Sequence, residues 1–491
     1  MTIIHRPAVF FAGICLFFIS SWASAANQVC ASVKYSAPSG LGTIVEFVLD
    51  KPYDCGQYAN GDWWVSAGKD GHVQMLDILP AANDGLNGFE VNPSSKSKQG
   101  FDKRVAGYDG ALQPRLPLRL RGDASIVKAV SLEVGKPRCQ VCLQYSAVLT
   151  VLAQPAFDSS LMFRPGYFGQ RKLTYPVNAI WKKSLPGFSS ACCMAAEEVS
   201  FNKIAQRFSG VQLDHLEGWV GRGLHPIDNM ADYGASIAVD TSVSLLRFML
   251  NDFDRENATH RSALINYLQM SIDLLSMAEN GVTWPADGGH GNGRKLPILV
   301  GGYFLDDERF FRVLNKPIFS EDEQVYFSNL TNRALFGRRC IDSWYWMQLR
   351  EGKGPKDCRD PYGYIDGGDA LGEGYQMCCT AMPWKYTALG IRLMGMEHYW
   401  NNDAFLEYVG RWMDHGVWAD PDPCAPYNGK ASDYGVEYGP KKSGGCVVGG
   451  GRYLSKHGTN KGKGYYGSKF GDQMWQRYRF QGQIRPKEIS P

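Results

Sequence analysis

Residues Trp284–Tyr303 read Trp-Pro-Ala-Asp-Gly-Gly-His-Gly-Asn-Gly-Arg-Lys-Leu-Pro-Ile-Leu-Val-Gly-Gly-Tyr, a glycine-rich loop that runs into an apolar helix. Four glycines surround His290 and Asn292, so the backbone can turn sharply and approach another molecule closely. Arg294 and Lys295 lie at the predicted helix N-terminus, where the helix dipole disfavours cations. The pattern therefore predicts an anion here, either a substrate carboxylate or phosphate or an Asp or Glu from elsewhere in the fold.

The 491-residue chain begins like an exported protein. His5 and Arg6 precede an apolar run, and small residues at 23–25 offer a cleavage site, so residues 1–25 are predicted to be a secretory signal peptide. No later run of 18 apolar residues appears, which predicts no membrane span in the mature chain. The formal net charge of +3 is small for this length and argues against nucleic acid as a partner. We expect a secreted or periplasmic protein.

Twelve of the 13 cysteines follow the predicted signal peptide, and an even number in an exported chain predicts disulfides. The spacing of Cys139 and Cys142 suits a structural bridge better than a redox pair or half of a zinc site, since no second pair matches it. Neighbouring cysteines bond each other only with strain. The adjacent pairs Cys192-Cys193 and Cys378-Cys379 are therefore expected to find distant partners, and Cys340–Cys358 and Cys424–Cys446 are candidate loop staples.

Hydrophobic periodicity divides the mature chain into two parts. Residues 26–155 show short alternating segments separated by Gly, Pro, Asn and Asp, which predicts an all-β, sandwich-like domain. Residues 156–190 resemble a connector over the surface. From 191 to 491 the period changes to about 3.6, which predicts an all-α domain. Long helices alternating with elaborate loops suggest an α/α toroid that carries the catalytic site.

Eight helices are predicted in the second part. Asn257 can cap the third of them, and Asn280-Gly281 can end it. The loops 280–295, 340–376 and 416–471 are long and aromatic, which is typical of functional segments. The predicted helices are Ala195–Phe208, Met230–Asn251, Ala258–Glu279, Leu296–Phe304, Asp307–Leu314, Asp322–Leu335, Met377–Met396 and Asp403–His415.

Three further segments carry candidate ligand-binding groups. A stripe that follows His225 presents Asn229, Tyr233, Ser236, Asp240 and Ser244 on one predicted helix face, either lining a cleft or making ordinary buried hydrogen bonds. The loop 360–375 concentrates carboxylates and tyrosines downstream of Trp344, a combination that suits pyranose rings better than Ca²⁺. The last loop adds Arg452 and His457.

Several familiar chemistries are missing from the sequence. It has no Gly-x-Ser-x-Gly elbow, no His-Glu-x-x-His, no Walker loop and no dinucleotide fingerprint. Serine-hydrolase triads, zinc peptidases and nucleotide enzymes are therefore not expected.

The chain resembles secreted polysaccharide lyases of the α/α-toroid type, a group that includes alginate, glucuronan and heparin-type lyases. The resemblance covers about residues 190–491. It is carried by the Gly-Gly-His290-Gly-Asn-Gly-Arg294-Lys295 loop, the predicted helix with Asn229 and Tyr233, and the helical region with Tyr375, Trp384 and Trp400. One departure is the order of the parts, since many such lyases place the toroid before the β-sandwich.

The resemblance implies β-elimination on an acidic, uronate-containing polysaccharide, without a metal or another cofactor. The uronate carboxylate must be neutralised, and Asn229, His290 and Arg294 are the expected donors. His225 or His457 is expected as base, and Tyr233 or Tyr375 as base or acid. The expected substrate-binding residues are Asn292, Lys295, Tyr303, Trp344, Tyr364, Glu373 and Arg452.

Two other functions fit the same residues. An inverting glycoside hydrolase would use two carboxylates about 6.5 to 9.5 Å apart, and its candidates are Asp228, Asp232, Asp366, Asp369 and Glu373. A glycan-binding protein would use the aromatic side chains without turnover. The side chains that line the cleft distinguish these functions: carboxylates favour the hydrolase, whereas His, Tyr and Arg favour the lyase.

Overall fold

The computed structural model describes residues 28–37, 42, 44–132, 139–156, 158–315, 319–328, 331–337, 364, 366, 373–420, 424, 441, 443–447, 458 and 460–481. Strands fill the first part of the chain and helices most of the second, as predicted. The predictions that concern the signal peptide, the Cys340–Cys358 bridge, Trp344, Asp369, Arg452 and His457 lie outside the described residues.

The N-terminal strands form one curled, half-barrel sheet. A sandwich needs two facing sheets, whereas these eight strands are joined through shared hydrogen bonds in the order β5-β7-β8-β3-β2-β4-β6, with β1 also paired to β2. All of these pairings are antiparallel except that of β3 with β8. The strands are β1 (Gln28–Ser36), β2 (Ile44–Gln57), β3 (Trp63–Ser66), β4 (Val73–Leu79), β5 (Phe89–Val91), β6 (Leu118–Leu120), β7 (Ala124–Ser131) and β8 (Leu143–Leu152).

Strand β7 is buried on both faces, because the sheet separates two hydrophobic cores. Successive side chains of a strand point to opposite faces. Ile126 and Val130 enter the core of the sheet itself, whereas Val127 and Ala129 pack with the helices. One face of β7 therefore covers the core of the sheet, and the other face packs against the core of the helices.

Part of the segment 156–190 enters the interior: residues 163–169 are buried, whereas most positions from 170 to 190 are exposed or partly exposed. Tyr167 and Phe168 are fully buried, as is Arg164. Arg164 donates to Asp62 at 2.6 Å and forms two bonds with Asp273, at 2.9 and 2.6 Å. These contacts join the sheet to a long helix, so this segment ties the two parts together.

The helical part contains α1 to α11. The third helix has the ends that the sequence predicts, since the Asn257 side chain accepts from Thr259 and His260 and Gly281 has a left-handed φ of 82°. The bounds are α1 (Phe201–Arg207), α2 (Gly234–Phe248), α3 (Ala258–Glu279), α4 (Lys295–Leu305), α5 (Glu308–Leu314), α6 (Ser320–Glu323), α7 (Glu373–Tyr375), α8 (Ala381–Leu393), α9 (Glu397–Trp400), α10 (Asp403–His415) and α11 (Lys469–Tyr478).

Three predicted elements differ in the structure. The predicted helix Asp322–Leu335 is replaced by α6 and a short hairpin of β9 (Val325–Phe327) and β10 (Ala334–Phe336). Helix α2 begins at Gly234, so Asn229 and Tyr233 both precede it and the expected stripe loses its first two members. A π-helical turn at Gln376–Thr380 separates α7 from α8. Among the described residues, the short helices α7 and α9 and the longer α11 lie outside the predicted helices.

The described cysteines bond mostly to near neighbours. Cys139–Cys142 and Cys424–Cys446 form the expected bridges, and Cys30 pairs with Cys55 between β1 and β2. The prediction of distant partners was wrong for the adjacent cysteines, because Cys192 bonds Cys193 and Cys378 bonds Cys379. Of the helices that the structure describes, none is both long and apolar enough to cross a membrane.

Candidate functional site

A narrow cleft lies between the segment 214–225, which precedes α2, and the loop 283–294, which leads into α4. We call it the histidine cleft. Its polar lining is supplied by Asp214, Arg222, His225, Asp287, His290 and Arg294. Three of these residues, His225, His290 and Arg294, are predicted site residues, although more than 60 positions separate the first from the other two.

Asp214 is the centre of a buried ionic cluster beneath the cleft. Its carboxylate accepts two bonds from the Arg294 guanidinium, at 2.7 and 2.9 Å. His225 is the third member of the cluster, and its Nε2 lies 3.3 Å from Asp214 Oδ1. Burial alone would raise the pKa of Asp214, but the Arg294 charge and the bonds from His225 and Arg294 hold that pKa well below its usual range. Asp214 therefore stays ionised and pairs with cations.

Arg294 uses its remaining donors to hold the glycine-rich loop. Its Nη1 donates to the carbonyls of His290 and Asn292, each at 2.7 Å. Because Asp214 pairs its charge and only 2 % of the residue is exposed, Arg294 acts as a support for the loop. Lys295 is similarly paired with Asp322 at 2.6 Å. The anions predicted at this helix N-terminus are thus internal carboxylates rather than a substrate group.

His225 is held from both sides. Its Nδ1 lies 2.9 Å from the Ala231 carbonyl, and its Nε2 faces Asp214. A general base needs a ring nitrogen with a free lone pair. Since both nitrogens face oxygen acceptors, His225 is suited to positioning rather than to taking a proton from a substrate.

His290 and Tyr233 form a ring pair at the cleft, with centroids 4.8 Å apart in an edge-to-face arrangement. No described residue, Tyr233 included, forms a hydrogen bond with the His290 ring. Burial and then the nearby Arg222 charge lower the pKa of His290. The Tyr233 hydroxyl donates to the Gly288 carbonyl at 2.7 Å, and burial together with Tyr466 raises its pKa to about 12. A neutral imidazole therefore lies beside a protonated phenol.

The loop carrying His290 packs closely against Tyr233, Cys379 and the start of α2. Two of these contacts leave room only for glycine. Gly289 has a φ of 88°, and a Cβ there would lie 2.6 Å from the Tyr233 hydroxyl and 2.9 Å from Cys379 Cβ. A Cβ at Gly234, the first residue of α2, would lie 2.3 Å from the His290 carbonyl. The start of α2 and the Cys378–Cys379 turn therefore fix the backbone on either side of His290.

Most of the other predicted site residues have internal partners. The Asn229 side chain is buried and donates to the Ser209 carbonyl. Asn292 donates to the Cys379 carbonyl at 2.6 Å, and the Tyr303 hydroxyl donates to Ser184 at 2.6 Å. Tyr375 packs against Phe336. Of the remaining predictions, Glu373 opens α7, and the Tyr364 carbonyl accepts from Asp420.

Three charged residues of the cleft were not predicted as site residues, namely Asp214, Arg222 and Asp287. Asp214 lies in an irregular segment with no repeating pattern, so nothing in the sequence links it to Arg294. The Gly-Arg-Gly at 221–223 offers a weak signal, because glycines on both sides of a charged residue resemble the pattern around His290.

The structure offers no evident metal site within the described residues. No group of three or more His, Cys, Asp or Glu side chains there is placed to hold an ion. Cys139 and Cys142 bond each other, so this Cys-x-x-Cys supplies no thiolates.

Glu321 lies under the glycine-rich loop and predicts a pH effect on stability. Its Oε1 accepts from Gly293 N–H at 2.8 Å, and burial raises its pKa to about 7. The native state therefore keeps a proton that the unfolded chain releases above about pH 4.3, so stability falls from there up to pH 7, by about 1.4 kcal/mol per pH unit. Glu90, whose pKa is also raised to about 7, adds to the same slope. In urea unfolding across this range, Glu321→Gln should therefore show a shallower slope than the wild type, by the contribution of one carboxyl.

The control for this experiment is Glu308→Gln, which changes an exposed carboxyl on α5. It should keep the wild-type slope. Equal slopes in wild type and Glu321→Gln would show that Glu321 is not protonated in the folded protein.

Comparisons with models of known protein families, with curated proteins and with solved structures find no match for the chain. Any function for the histidine cleft must therefore be argued from its own residues.

Proposed function

We propose that the protein is a polysaccharide lyase that cleaves an acidic, uronate-containing polysaccharide by β-elimination. The observation that supports this most is the His290–Tyr233 pair. His290 has a lowered pKa and no hydrogen bond to its ring from the described residues, whereas Tyr233 has a pKa of about 12. Elimination needs such a base and acid close together.

Each of these two side chains performs one proton transfer. A His290 ring nitrogen takes the proton from C5 of the uronate, and the C5–H electron pair forms the C4–C5 double bond as the C4–O4 bond breaks. Tyr233, whose hydroxyl exchanges its bond to the Gly288 carbonyl for one to the leaving O4, supplies the proton that O4 requires. Because the pKa of Tyr233 is raised, it is suited to the role of acid rather than base. Each positioned proton transfer contributes on the order of 10² to 10⁴ in rate.

The inverting hydrolase receives less support from the same geometry. Asp366 forms two 2.8 Å bonds with Arg411 and is buried, which removes it from the candidate pairs. Asp232 accepts from Gln140 at 3.3 Å. In the cleft, Asp214 has a lowered pKa, whereas a catalytic acid needs a raised one.

Two broader features belong to this proposal. We infer that the helices adopt an α/α toroid, a view supported by packing of α3 against α1 and α4 and of α2 against α8. We also infer export to the periplasm or the medium, which is compatible with the disulfides and with the sequence at residues 1–25. The proposed partner is the polysaccharide alone, with no nucleic acid.

The test is ultraviolet absorbance of the purified mature protein with alginate, glucuronan, pectate and glycosaminoglycans. Elimination creates a conjugated C4–C5 double bond, which hydrolysis cannot make. We expect absorbance to rise on at least one polymer, with a loss of about 10² to 10⁴ in kcat for His290→Ala and Tyr233→Phe. Tyr478→Phe, which removes a hydroxyl that donates to the Ser189 carbonyl, is the matched control and should keep full activity.

The pH profile provides a second check on the base. Because burial and Arg222 lower the pKa of His290, its free-base form persists below the ordinary value of about 6.5. The acidic limb of kcat/KM should therefore lie below pH 6.5. New reducing ends without absorbance would instead establish a hydrolase, and an unchanged rate in His290→Ala would exclude His290 as the base.

A further inference from the structure

Trp219 is an exposed aromatic residue at the edge of the histidine cleft. Its surface is 54 % exposed, an unusual state for the largest side chain. The residue opens a short 3-10 helix, Trp219–Leu224, whose Gly221 and Arg222 line the cleft. An exposed indole therefore lies beside the residues of this segment that line the cleft, Gly218, Gly221 and Arg222.

Arg222 lies beside this indole, with its guanidinium carbon 5.6 Å from the ring centroid. It forms no hydrogen bond or ion pair with any described residue, which distinguishes it from Arg294 in the same cleft. The Arg222 charge lowers the pKa of His290, an effect second to that of burial. The cleft thus contains one buried, neutralised arginine and one arginine whose charge is available.

The segment that carries both side chains is held on two sides. The Trp219 N–H donates to the carboxylate of Asp287, which belongs to the loop of His290. The Gly223 carbonyl accepts from Cys142 N–H at 2.9 Å, next to the Cys139–Cys142 bridge. These two bonds hold the backbone that carries Trp219 and Arg222 against the loop of His290 before any ligand binds.

We propose that Trp219 and Arg222 form a binding subsite for one uronate residue of the polymer. The indole packs against the C–H face of the pyranose ring, and the guanidinium forms paired hydrogen bonds with the carboxylate. The inference rests on the proposed function for its substrate class, and it identifies the residues that select an acidic sugar over a neutral one. Arg222 takes the carboxylate-binding role that the sequence had suggested for Arg294.

This subsite is tested by binding rather than by turnover. The full mature chain is run in affinity electrophoresis through gels containing polyglucuronate, alginate, polygalacturonate, heparin or neutral dextran. The His290→Ala protein is run in parallel so that the polymer stays intact. We expect retardation by at least one acidic polymer and none by dextran. Trp219→Ala and Arg222→Ala should each weaken that binding at least about tenfold, or about 1.4 kcal/mol.

The chain offers a matched control in a second exposed aromatic–arginine pair. Phe480 is 62 % exposed, and the Arg479 guanidinium carbon lies 4.3 Å from its ring centroid, but Arg479 is bonded to Asp414 at 2.7 Å. Phe480→Ala should bind like wild type. Arg222→Lys, which keeps the charge without the paired bonds, should fall between wild type and Arg222→Ala.

The outcomes separate this proposal from the lyase itself. Loss of binding in the Trp219 and Arg222 variants without absorbance on any polymer would support the subsite and reject elimination. Absorbance with wild-type binding in both variants would support the lyase and overturn the subsite. Equal retardation by dextran, or none by any acidic polymer, would also overturn it.

Discussion

Replacement of Arg164 by alanine is expected to lower the free energy of unfolding by about 3–5 kcal/mol. Arg164 is fully buried and bonds Asp62 of the sheet region and Asp273 of α3. Without the guanidinium, two carboxylates remain in the interior with no cation between them, and their mutual repulsion adds to the cost of burial. Urea unfolding of the purified variant measures the loss.

The control for this experiment is Arg171→Ala. Arg171 pairs with Glu279 at 3.6 Å, but its side chain is 61 % exposed. Exposed pairs of this kind contribute about 0–1 kcal/mol. If both variants lose the same small amount of free energy of unfolding, the buried Asp62–Arg164–Asp273 cluster does not stabilise the contact between the sheet and the helices.

Replacement of Asp214 by asparagine is expected to have an effect of similar size on stability and a second effect on the cleft. The substitution keeps the size of the side chain but leaves the buried Arg294 charge without its partner, at a cost of about 3–5 kcal/mol. Arg294 also holds the His290 carbonyl at 2.7 Å. We therefore expect both a lower urea midpoint and a lower kcat on the polymer that the wild type cleaves.

The difference in the free energy of unfolding between wild type and Asp214→Asn should depend on pH in a defined direction. The folded-state pKa of Asp214 is lowered, so its stabilisation is fully present above its unfolded value of about 3.9 and is lost as pH falls towards the folded value. The gap between wild type and Asp214→Asn should shrink below about pH 4. Asp84→Asn, which removes a carboxylate that is 79 % exposed, is the control and should change stability by less than about 1 kcal/mol. A gap that grows in acid would contradict this account.

Local patterns predicted the elements whose own residues decide their structure. Helix α3 has its predicted bounds because Asn257 and Gly281 act within the helix ends themselves. The helix predicted over 322–335 is wrong for the opposite reason. Its apolar spacing suits a helix, but its residues form the hairpin of β9 and β10, which packs against α10. Periodicity cannot separate these outcomes when the contact that decides lies elsewhere in the chain.

In the candidate site, too, local patterns were predicted from the sequence and contacts between distant residues were not. The glycines around His290 and the polar character of Tyr233 are visible in the sequence, and the structure brings the two rings together. The role of Arg294 could not be read in the same way, because its partner Asp214 lies 80 residues away. A cation at a helix N-terminus looks identical in sequence whether a substrate or a buried carboxylate neutralises it.

The sequence by itself determined the order of a strand-rich part before a helical part, the ends of α3 and the loop that carries His290. These features depend on side-chain alternation, caps and glycine conformations, which act over a few residues. Only the tertiary structure decided that Arg294 and Lys295 are neutralised while Arg222 stays unpaired among the described residues. Charge pairing is settled by distance in space, and the chain brings Asp214 to Arg294 only after it has folded.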